Sequence, residues 1–307
     1  MSAQLLSRFT GCLLGLAAGD CLGASVEGWT AEDIRRRYGR LTDIVGSAYW
    51  AAGEHTDDTA MMLCIAHSLA ERGHFDPEDV ADRFLQWYRA GAKGIGMTTR
   101  MALAALDRGA SWEAAGRLAH QVTQPYSAGN GTVMRCAPIG LFFHLRPDDL
   151  VRASLESAAI THPDPLATWG AAALNLTIAA LLTSDSKEAA RSAWRSVQEP
   201  TVRQALEGVE RLSESALAPL GFVLHTLECA FWCFLRTESL EEAVVTAVNL
   251  GGDTDTIGAI TGALAGAHYG VEAVPARWRE AILAREEIEG VARALFEAAP
   301  TSSARRR

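Results

Sequence analysis

The sequence GCLLGLAAGDCLG at residues 11–23 has a glycine at every fourth position, and GAITGALAGAHYG at residues 258–270 repeats that spacing. A glycine costs a helix about 1 kcal/mol relative to alanine, so eight of them at helical spacing require a compensating interaction. Close contact between two packed helix backbones supplies one. We therefore predict that both stretches are helices lying side by side in the core. A broken helix or a loop over residues 19–23 is the alternative.

The rest of the chain shows mainly the 3.6-residue period of amphipathic helices. Capping residues support several boundaries, because Asp76 precedes Pro77 and Ser239 precedes Leu240. The fold class is therefore predicted to be all-α. The periodicity predicts helices at Thr59–Ala70, Pro77–Arg89, Thr98–Arg108, Trp112–Gln121, Asp148–Ala159, Trp169–Leu182, Glu188–Val197, Pro219–Leu235, Leu240–Asn249 and Asp255–Gly270.

No linker rich in glycine, serine or proline divides the chain. We therefore predict a single compact orthogonal multi-helix domain over residues 1–300, followed by a disordered tail over residues 301–307. The polar stretch Thr183–Ser215 is interpreted as a solvated helical hairpin rather than a domain boundary. Leu41–Trp50 is a weak candidate for a strand.

Composition excludes several classes of protein. The 307 residues are 49% hydrophobic and 21% charged, which is typical of a globular protein. A formal net charge of −9 disfavours duplex nucleic acid and anionic membranes as partners. We expect no window of about 18 uncharged apolar residues and therefore no membrane span. The six cysteines lie in apolar, helix-like runs, which is typical of buried reduced thiols. We expect a cytoplasmic monomer.

Two acidic clusters stand at the entrances of apolar helices, HTDDT at residues 55–59 and GGDTDT at residues 251–256. A helix cap needs one side-chain oxygen, whereas each cluster offers at least four. If their four aspartates converged, they would repel one another unless cations lay between them, and hard oxygen ligands suit Mg²⁺, Mn²⁺ or Ca²⁺ rather than zinc. Spacing alone does not show that they converge, so a shared metal site and two ordinary helix caps both remain open.

Four blocks of the sequence resemble those of the ADP-ribosylglycohydrolase family, in the family's order. They are HTDDT at 55–59, SAGNGTVMR at 127–135, ITHPD at 160–164 and NLGGDTDTIGA at 249–259. The segment GCLLGLAAGDCLGASVE at 11–27 also resembles the family's opening helix and the acidic loop after it. The resemblance spans nearly the whole chain and implies an all-α fold with a binuclear metal site in a central cleft.

The resemblance also implies roles for individual residues. Two Mg²⁺ ions, or Mn²⁺ in some members, would lie between two sets of ligands, and Glu27 would reach that site for substrate gating or catalysis. A loop would hold the diphosphate of the substrate, and a histidine would line the adenosine end of the pocket. The implied metal ligands are Thr56, Asp57, Asp58, Asp253, Asp255 and Thr256, and the implied substrate-binding residues are Ser127, Gly129, Asn130, Gly131 and His162.

General chemistry gives two candidates for the catalytic base. Cleavage of a ribosyl C1″ bond passes through an oxocarbenium-like state and needs a water nucleophile. Divalent metals can orient ribose hydroxyls and lower the pKa of a bound water. Glu27 and Asp58 are the candidate bases, and the sequence leaves the choice between them open.

The glycine-asparagine loop has a physical basis for binding an anion. Gly129 and Gly131 can adopt positive φ angles, and the loop would then expose successive backbone N–H groups as an anion nest just before a helix that begins near Thr132. A plain Asn-Gly turn is the alternative. Arg135 is interpreted as a surface or ion-pair residue or as a phosphate contact, and Asp20 as a buried hydrogen-bonding acid.

The sequence leaves open which bond between ADP-ribose and its carrier would be cleaved. The segment 94–100 resembles the nitrogenase-reductase-activating branch of the family, which releases ADP-ribose from arginine. That branch has acids where this chain has Met97 and, just before the glycine-asparagine loop, Gln124 and Pro125. The predicted function is a Mg²⁺-dependent hydrolase that releases ADP-ribose from an ADP-ribosylated protein side chain, through an arginine-type N-glycosidic bond or in another ADP-ribosyl conjugate. The alternative is an ADP-ribose-binding or scaffold member without turnover.

Overall fold

The computed structural model describes residues 3–300, and the tail predicted at 301–307 lies outside them. Residues 3–300 contain no β-strand. Their β-type pairing is limited to two isolated antiparallel bridges, Thr30 with Gly251 and Gly129 with Phe222. The predicted all-α class is therefore confirmed. The helices are α1 (Ala3–Gly23), α2 (Ala31–Tyr38), α3 (Asp57–Arg72), α4 (Pro77–Arg89), α5 (Met97–Asp107), α6 (Trp112–Thr123), α7 (Ala137–Phe142), α8 (Pro147–Ala159), α9 (Pro165–Leu182), α10 (Glu188–Ala193), α11 (Pro200–Gly208), α12 (Val223–Arg236), α13 (Leu240–Val248), α14 (Thr254–Tyr269), α15 (Ala276–Ala281) and α16 (Arg285–Ala298).

Helices α1 and α14 pack antiparallel at the centre of the molecule, with their glycine ladders in contact. A Cβ atom placed on Gly15 would lie 2.3 Å from the carbonyl oxygen of Gly262, and one on Gly262 would lie 1.9 Å from that of Gly15. Gly11 meets Gly266 and Gly19 meets Gly258 in the same way. These positions therefore exclude any side chain. The predicted contact between the ladders is confirmed, and α1 runs unbroken through residue 23.

The helices predicted from periodicity are present, with shifted ends where neighbouring segments intervene. Helix α9 begins at Pro165 because the side chain of Asp164 accepts a hydrogen bond from the Leu166 N–H at 2.9 Å. Helix α12 begins only at Val223 because the preceding residues are extended and paired with another loop, the Val223 N–H donating to the Ala128 carbonyl at 3.0 Å. The caps expected at Asp76 and Ser239 are confirmed.

Two interpretations of less regular segments need correction. Leu41–Trp50 contains no strand and consists of bends and irregular backbone. The stretch 183–215 does contain two helices, α10 and α11, but it is not simply solvated, because Trp194, Val202 and Leu206 are buried in the hydrophobic core.

Two helices, α1 and α9, are long and apolar enough to cross a membrane by length and composition alone. The expectation that no such window exists is therefore wrong for α9, whose eighteen residues carry no charge. In each helix 78% of the apolar window is buried inside the protein. Helices at the core of a soluble protein have the same composition, because they are covered on every side.

All six cysteines are free thiols, as predicted, and only Cys64 is partly exposed. Burial raises the pKa of the Cys64 thiol to about 11 and that of Cys136 to about 12. These thiols act as small apolar side chains of the core.

Candidate functional site

The first acidic cluster is held by a side chain of α1. Thr56 caps α3, its hydroxyl accepting a hydrogen bond from the Asp58 N–H at 3.2 Å. The buried carboxylate of Asp20 then accepts hydrogen bonds from the Thr56 N–H at 3.0 Å, the Thr59 N–H at 3.1 Å and the Thr59 hydroxyl at 2.6 Å. Asp20 is thus the buried hydrogen-bonding acid that the sequence suggested, and it positions the start of α3.

The second acidic cluster is held by backbone contacts. Gly251 and Gly252, just before α14, have φ angles of 77° and 72°, which glycine adopts without strain. The Gly252 N–H donates to the Trp29 carbonyl at 2.7 Å, and the Gly28 N–H donates to the Gly252 carbonyl at 2.8 Å. A Cβ atom on Gly252 would lie 1.9 Å from the Pro219 carbonyl oxygen. The start of α14 is therefore joined to the loop that carries Glu27.

The two clusters converge on one cavity of about 280 Å³. Glu27 is exposed to solvent at this cavity, whereas Asp57, Asp58 and Asp255 are buried. The cavity is lined by Glu27, Asp57, Asp58, Gly94, Gly96, Met97, Thr98, Thr99, Tyr126, Gly129, Asn130, Gly131, Met134, His162, Gly221, Asp253, Asp255 and Thr256. Convergence of the clusters, which spacing could not establish, is thus a property of the fold.

Burial and mutual repulsion raise the pKa values of four carboxyl groups in this cavity, those of Glu27, Asp57, Asp58 and Asp255. Burial is the largest cause for Asp57, whose pKa rises to about 8, with Asp20 and Glu27 adding to it. The pKa values of Asp58 and Asp255 are raised well above the ordinary range by burial first and then by neighbouring carboxylates. Partial desolvation, followed by Asp253, also raises the pKa of Glu27. Such an arrangement favours either protons or cations between the carboxylates.

Thr56 and Ser127 are the two predicted site residues that do not line the cavity. The Thr56 hydroxyl caps α3, as described above. Ser127 is buried, and its hydroxyl donates to the Asp164 carboxylate at 3.1 Å, next to the start of α9. Both residues therefore contact the helix starts that shape the cavity.

The glycine-asparagine loop differs from the sequence prediction in its backbone. Neither Gly129 nor Gly131 has a positive φ angle, and residues 131–135 form turns, so that the next helix begins at Ala137 rather than near Thr132. The glycines are needed for space. A Cβ atom on Gly131 would lie 2.8 Å from the imidazole of His162, and one on Gly129 would lie 3.3 Å from it.

The side chain of Asn130 joins this loop to the second acidic cluster. Its amide donates hydrogen bonds to the Asp253 carboxylate at 2.6 Å and to the Thr226 hydroxyl at 3.0 Å. The Asn130 N–H donates to the Gly221 carbonyl at 3.0 Å. Asn130 therefore orients a carboxylate of the cavity as well as lining it.

Arg135 is neither a surface residue nor a member of an ion pair among the described residues. Its side chain is fully buried and lies outside the cavity lining. The prediction of a surface or ion-pair role is wrong because the segment 131–135 turns inward rather than forming an amphipathic helix.

Comparisons with known proteins show the family to which this chain belongs. The profile of the family described as ADP-ribosylglycohydrolase matches residues 1–305. The chain belongs to the ADP-ribosylglycohydrolase family. It is similar to an ADP-ribosylarginine hydrolase of Pseudomonas putida, with 34% identity over 97% of this chain and 80% of that protein. It is also 32% identical to an ADP-ribosyl-[dinitrogen reductase] glycohydrolase of Rhodospirillum rubrum, over 88% of each chain.

A solved structure titled ADP-ribosylglycohydrolase-related protein complex superposes with a TM-score of 0.84, at 35% identity, over 97% of this chain and 100% of that one. The predicted family and enzyme class are therefore confirmed: the protein is an ADP-ribosyl glycohydrolase. Its fold is the one that the sequence blocks implied.

The cavity of this glycohydrolase has the donor chemistry of a hard-cation site. Asp58 Oδ2 and Asp255 Oδ1 are buried and form no hydrogen bond with the described residues, although buried polar atoms are normally paired. Between residues 3 and 300, no three His, Cys, Asp or Glu side chains are grouped so as to hold a metal ion by themselves. A cation here would therefore also take hydroxyl or water oxygens, which suits Mg²⁺, an ion that usually keeps several waters.

Sequence reasoning missed several residues of the cavity wall. Thr98 and Thr99 lie within the segment 94–100 that the sequence had singled out, and Tyr126 lies just before the block 127–135, so their place in the sequence was an available signal. Gly221 carried none, because tertiary contacts bring it to the cavity, among them the hydrogen bond between its carbonyl and the Asn130 N–H.

Proposed function

We propose that this glycohydrolase releases ADP-ribose from an ADP-ribosylated protein side chain by means of a binuclear Mg²⁺ site, which Mn²⁺ could also fill. The observation that carries the proposal is the convergence of two acidic clusters on one cavity, with unpaired buried oxygens on Asp58 and Asp255. The proposed metal ligands are Thr56, Asp57, Asp58, Asp253, Asp255 and Thr256.

The chain's own residues supply the remaining functions. Bound Mg²⁺ would orient the ribose hydroxyls and polarise the anomeric centre. Of the two candidate bases, Glu27 is favoured as the proton acceptor for the attacking water, because it lines the cavity and is open to solvent. Asp58 is buried, and its Oδ2 has no hydrogen-bond partner among the described residues, which fits a ligand better than a base. Asn130 would keep Asp253 oriented throughout.

Arginine is the linkage to test first. The similar proteins from Pseudomonas putida and Rhodospirillum rubrum are named for ADP-ribosylarginine and for ADP-ribosyl dinitrogen reductase. At the cavity of this chain, however, Met97 begins α5 with 59% of its surface exposed. An apolar side chain there offers no charge to pair with a guanidinium, so other ADP-ribosyl conjugates belong in the same experiment.

The experiment is incubation of the purified protein with arginine-, serine- and acetyl-linked ADP-ribose, with Mg²⁺ or with a chelator, followed by mass spectrometry. We expect free ADP-ribose from at least one conjugate and only with the metal. The Glu27→Gln variant should bind metal and ligand but lose most turnover. If no conjugate is cleaved although ADP-ribose binds, the protein is a binding or scaffold member and the hydrolase proposal is wrong.

We also predict that ADP-ribose binds more tightly than ADP or AMP. The cavity brings the acidic clusters close to the glycine-asparagine loop and His162, so the full ligand would reach both parts at once. The measurement is a thermal-shift series with the three nucleotides at equal concentration in Mg²⁺. Equal shifts for ADP-ribose and AMP would count against the assignment of the pocket.

A further inference from the structure

Arg135 is a buried cation that has no carboxylate partner among residues 3–300. Its guanidinium lies over the Phe84 ring at 4.7 Å and donates to the Ser157 carbonyl at 3.3 Å and to the Thr161 hydroxyl at 2.7 Å. Burying a charge without a counter-ion is unfavourable, so we expect this residue to have a role that offsets the cost in stability. Burial lowers the pKa of Arg135 to about 10, which leaves the group charged at neutral pH.

Thr161 connects Arg135 to the cavity. Its side-chain oxygen, which is fully buried, lies 2.7 Å from Nδ1 of His162. A guanidinium can only donate hydrogen bonds, so the Thr161 oxygen accepts from Arg135. The threonine hydroxyl proton has no other acceptor among the described residues. It is satisfied only if it is donated to Nδ1 of His162, and Nδ1 then carries no proton.

We infer that Arg135 and Thr161 are positioning residues that hold His162 in the tautomer protonated at Nε2, so that Nε2–H donates a hydrogen bond to an oxygen of bound ADP-ribose. The identity of the ligand rests on the proposed function, whereas the tautomer does not. An imidazole protonated at Nδ1 would instead present a lone pair to the ligand oxygen and repel it.

The surroundings of His162 fit a fixed, neutral donor. The imidazole lines the cavity. It lies so close to the glycine-asparagine loop that a Cβ atom on Gly131 would be 2.8 Å from it. Burial, followed by the charge of Arg135, lowers the pKa of His162 to about 3, so the imidazole stays neutral. Only the position of its single proton remains to be set, and the relay from Arg135 sets it.

The first test is ¹⁵N NMR of histidine-labelled protein without ligand at neutral pH, the His162 signals being assigned by their loss in His162→Gln. We expect Nδ1 to be unprotonated and hydrogen-bonded and Nε2 to be protonated. A protonated Nδ1 in the wild-type protein would overturn the inference. This spectrum needs neither turnover nor ligand, so it decides the tautomer even if the proposed function fails.

The second test compares Thr161→Val with Thr161→Ser, which keeps the hydroxyl. Thr177→Val is the matched control, because Thr177 is also a buried threonine, whose hydroxyl donates to a carbonyl within α9. In Thr161→Val, we expect the hydrogen-bond shift of Nδ1 to disappear and ADP-ribose binding to weaken about tenfold, the loss of one hydrogen bond. Thr161→Ser should restore the spectrum and affinity, and Thr177→Val should change neither.

Turnover separates positioning from a catalytic role. For Thr161→Val we expect KM to rise by about as much as the dissociation constant of ADP-ribose, with kcat changing less than about twofold. Wild-type affinity in a folded Thr161→Val variant would overturn the inference. If that variant does not fold, the wild-type spectrum and the Thr161→Ser affinity still test it.

Discussion

The two acidic clusters open helices α3 and α14 in similar ways but are held in place by different means. The first depends on a side chain, the Asp20 carboxylate, which accepts hydrogen bonds from Thr56 and Thr59. The second depends on backbone contacts that only glycine allows, at Gly251 and Gly252 and along the ladder of α14. We call the Asp20 carboxylate the side-chain anchor and the close contacts of the glycines the backbone anchor. The side-chain anchor can be weakened by small changes of side-chain chemistry, whereas the backbone anchor is disrupted by any added side chain.

The largest effect is expected where the two clusters act together. Asp57→Ala and Asp255→Ala should each lower kcat/KM at least about 10³-fold, because each removes a proposed ligand from the shared metal site. The metal-free variants should remain folded and be slightly more stable than the parent, because a buried carboxylate is lost from a repelling group. Kinetics and denaturant unfolding measure the two quantities.

The exposed Asp82→Ala on α4 is the control and should change neither activity nor stability. Full turnover in either Asp57→Ala or Asp255→Ala would show that the clusters do not form one metal site.

Next comes the backbone anchor. Gly262→Ala should destabilise the protein by about 3 kcal/mol through overpacking, since its Cβ would lie 1.9 Å from the Gly15 carbonyl oxygen. Metal affinity should fall with it, because Asp253 is the N-cap residue of α14 and Asp255 lies in its first turn. Gly290→Ala in α16 is the matched control: its Cβ meets nothing within 4 Å, so the change should stabilise the protein by up to about 1 kcal/mol. Unfolding curves and Mg²⁺ titration calorimetry provide the comparison.

The side-chain anchor should give a smaller effect. Asp20→Asn replaces one acceptor oxygen by an amide donor that faces donors, which should cost about 2 kcal/mol and weaken metal binding. Asp76→Asn, at the half-buried cap of α4, is the control, because asparagine caps a helix about as well as aspartate. Equal stability of the two variants would mean that Asp20 does not hold the first cluster.

The last comparison concerns pH. The pKa of Asp57 is about 8 in the folded protein, raised from an ordinary value of 3.8, so the folded state binds this proton more tightly than the unfolded state. Its contribution to stability is therefore present at low pH and is lost as pH rises from about 4 to about 8. In chelator, the free energy of unfolding should fall over that range by less in Asp57→Asn than in the parent. Identical pH profiles would contradict this assignment.

The sequence foretold the parts of this site that follow a local period. Glycine at every fourth residue revealed the ladders because a helix repeats every 3.6 residues. The acidic clusters could be recognised as helix starts because Asp and Thr are common capping residues. The need for glycine at Gly131 was misread as a φ requirement, since the group that excludes a Cβ atom is His162, from a distant part of the chain. The surface or ion-pair role predicted for Arg135 was also wrong. Its burial follows from the turns at residues 131–135, which the sequence periodicity does not predict.

By itself, the sequence determined that the chain is all-α, that two glycine ladders meet, and that carboxylate and hydroxyl oxygens cluster at two helix starts. Only the tertiary structure decided that these clusters face one cavity, that Asn130 donates to Asp253, and that Arg135 and Thr161 stand behind His162. The physical reason is range. Helix period, capping and glycine spacing act within one or two turns of the chain, whereas convergence, burial and hydrogen bonding between distant segments arise only when the helices pack.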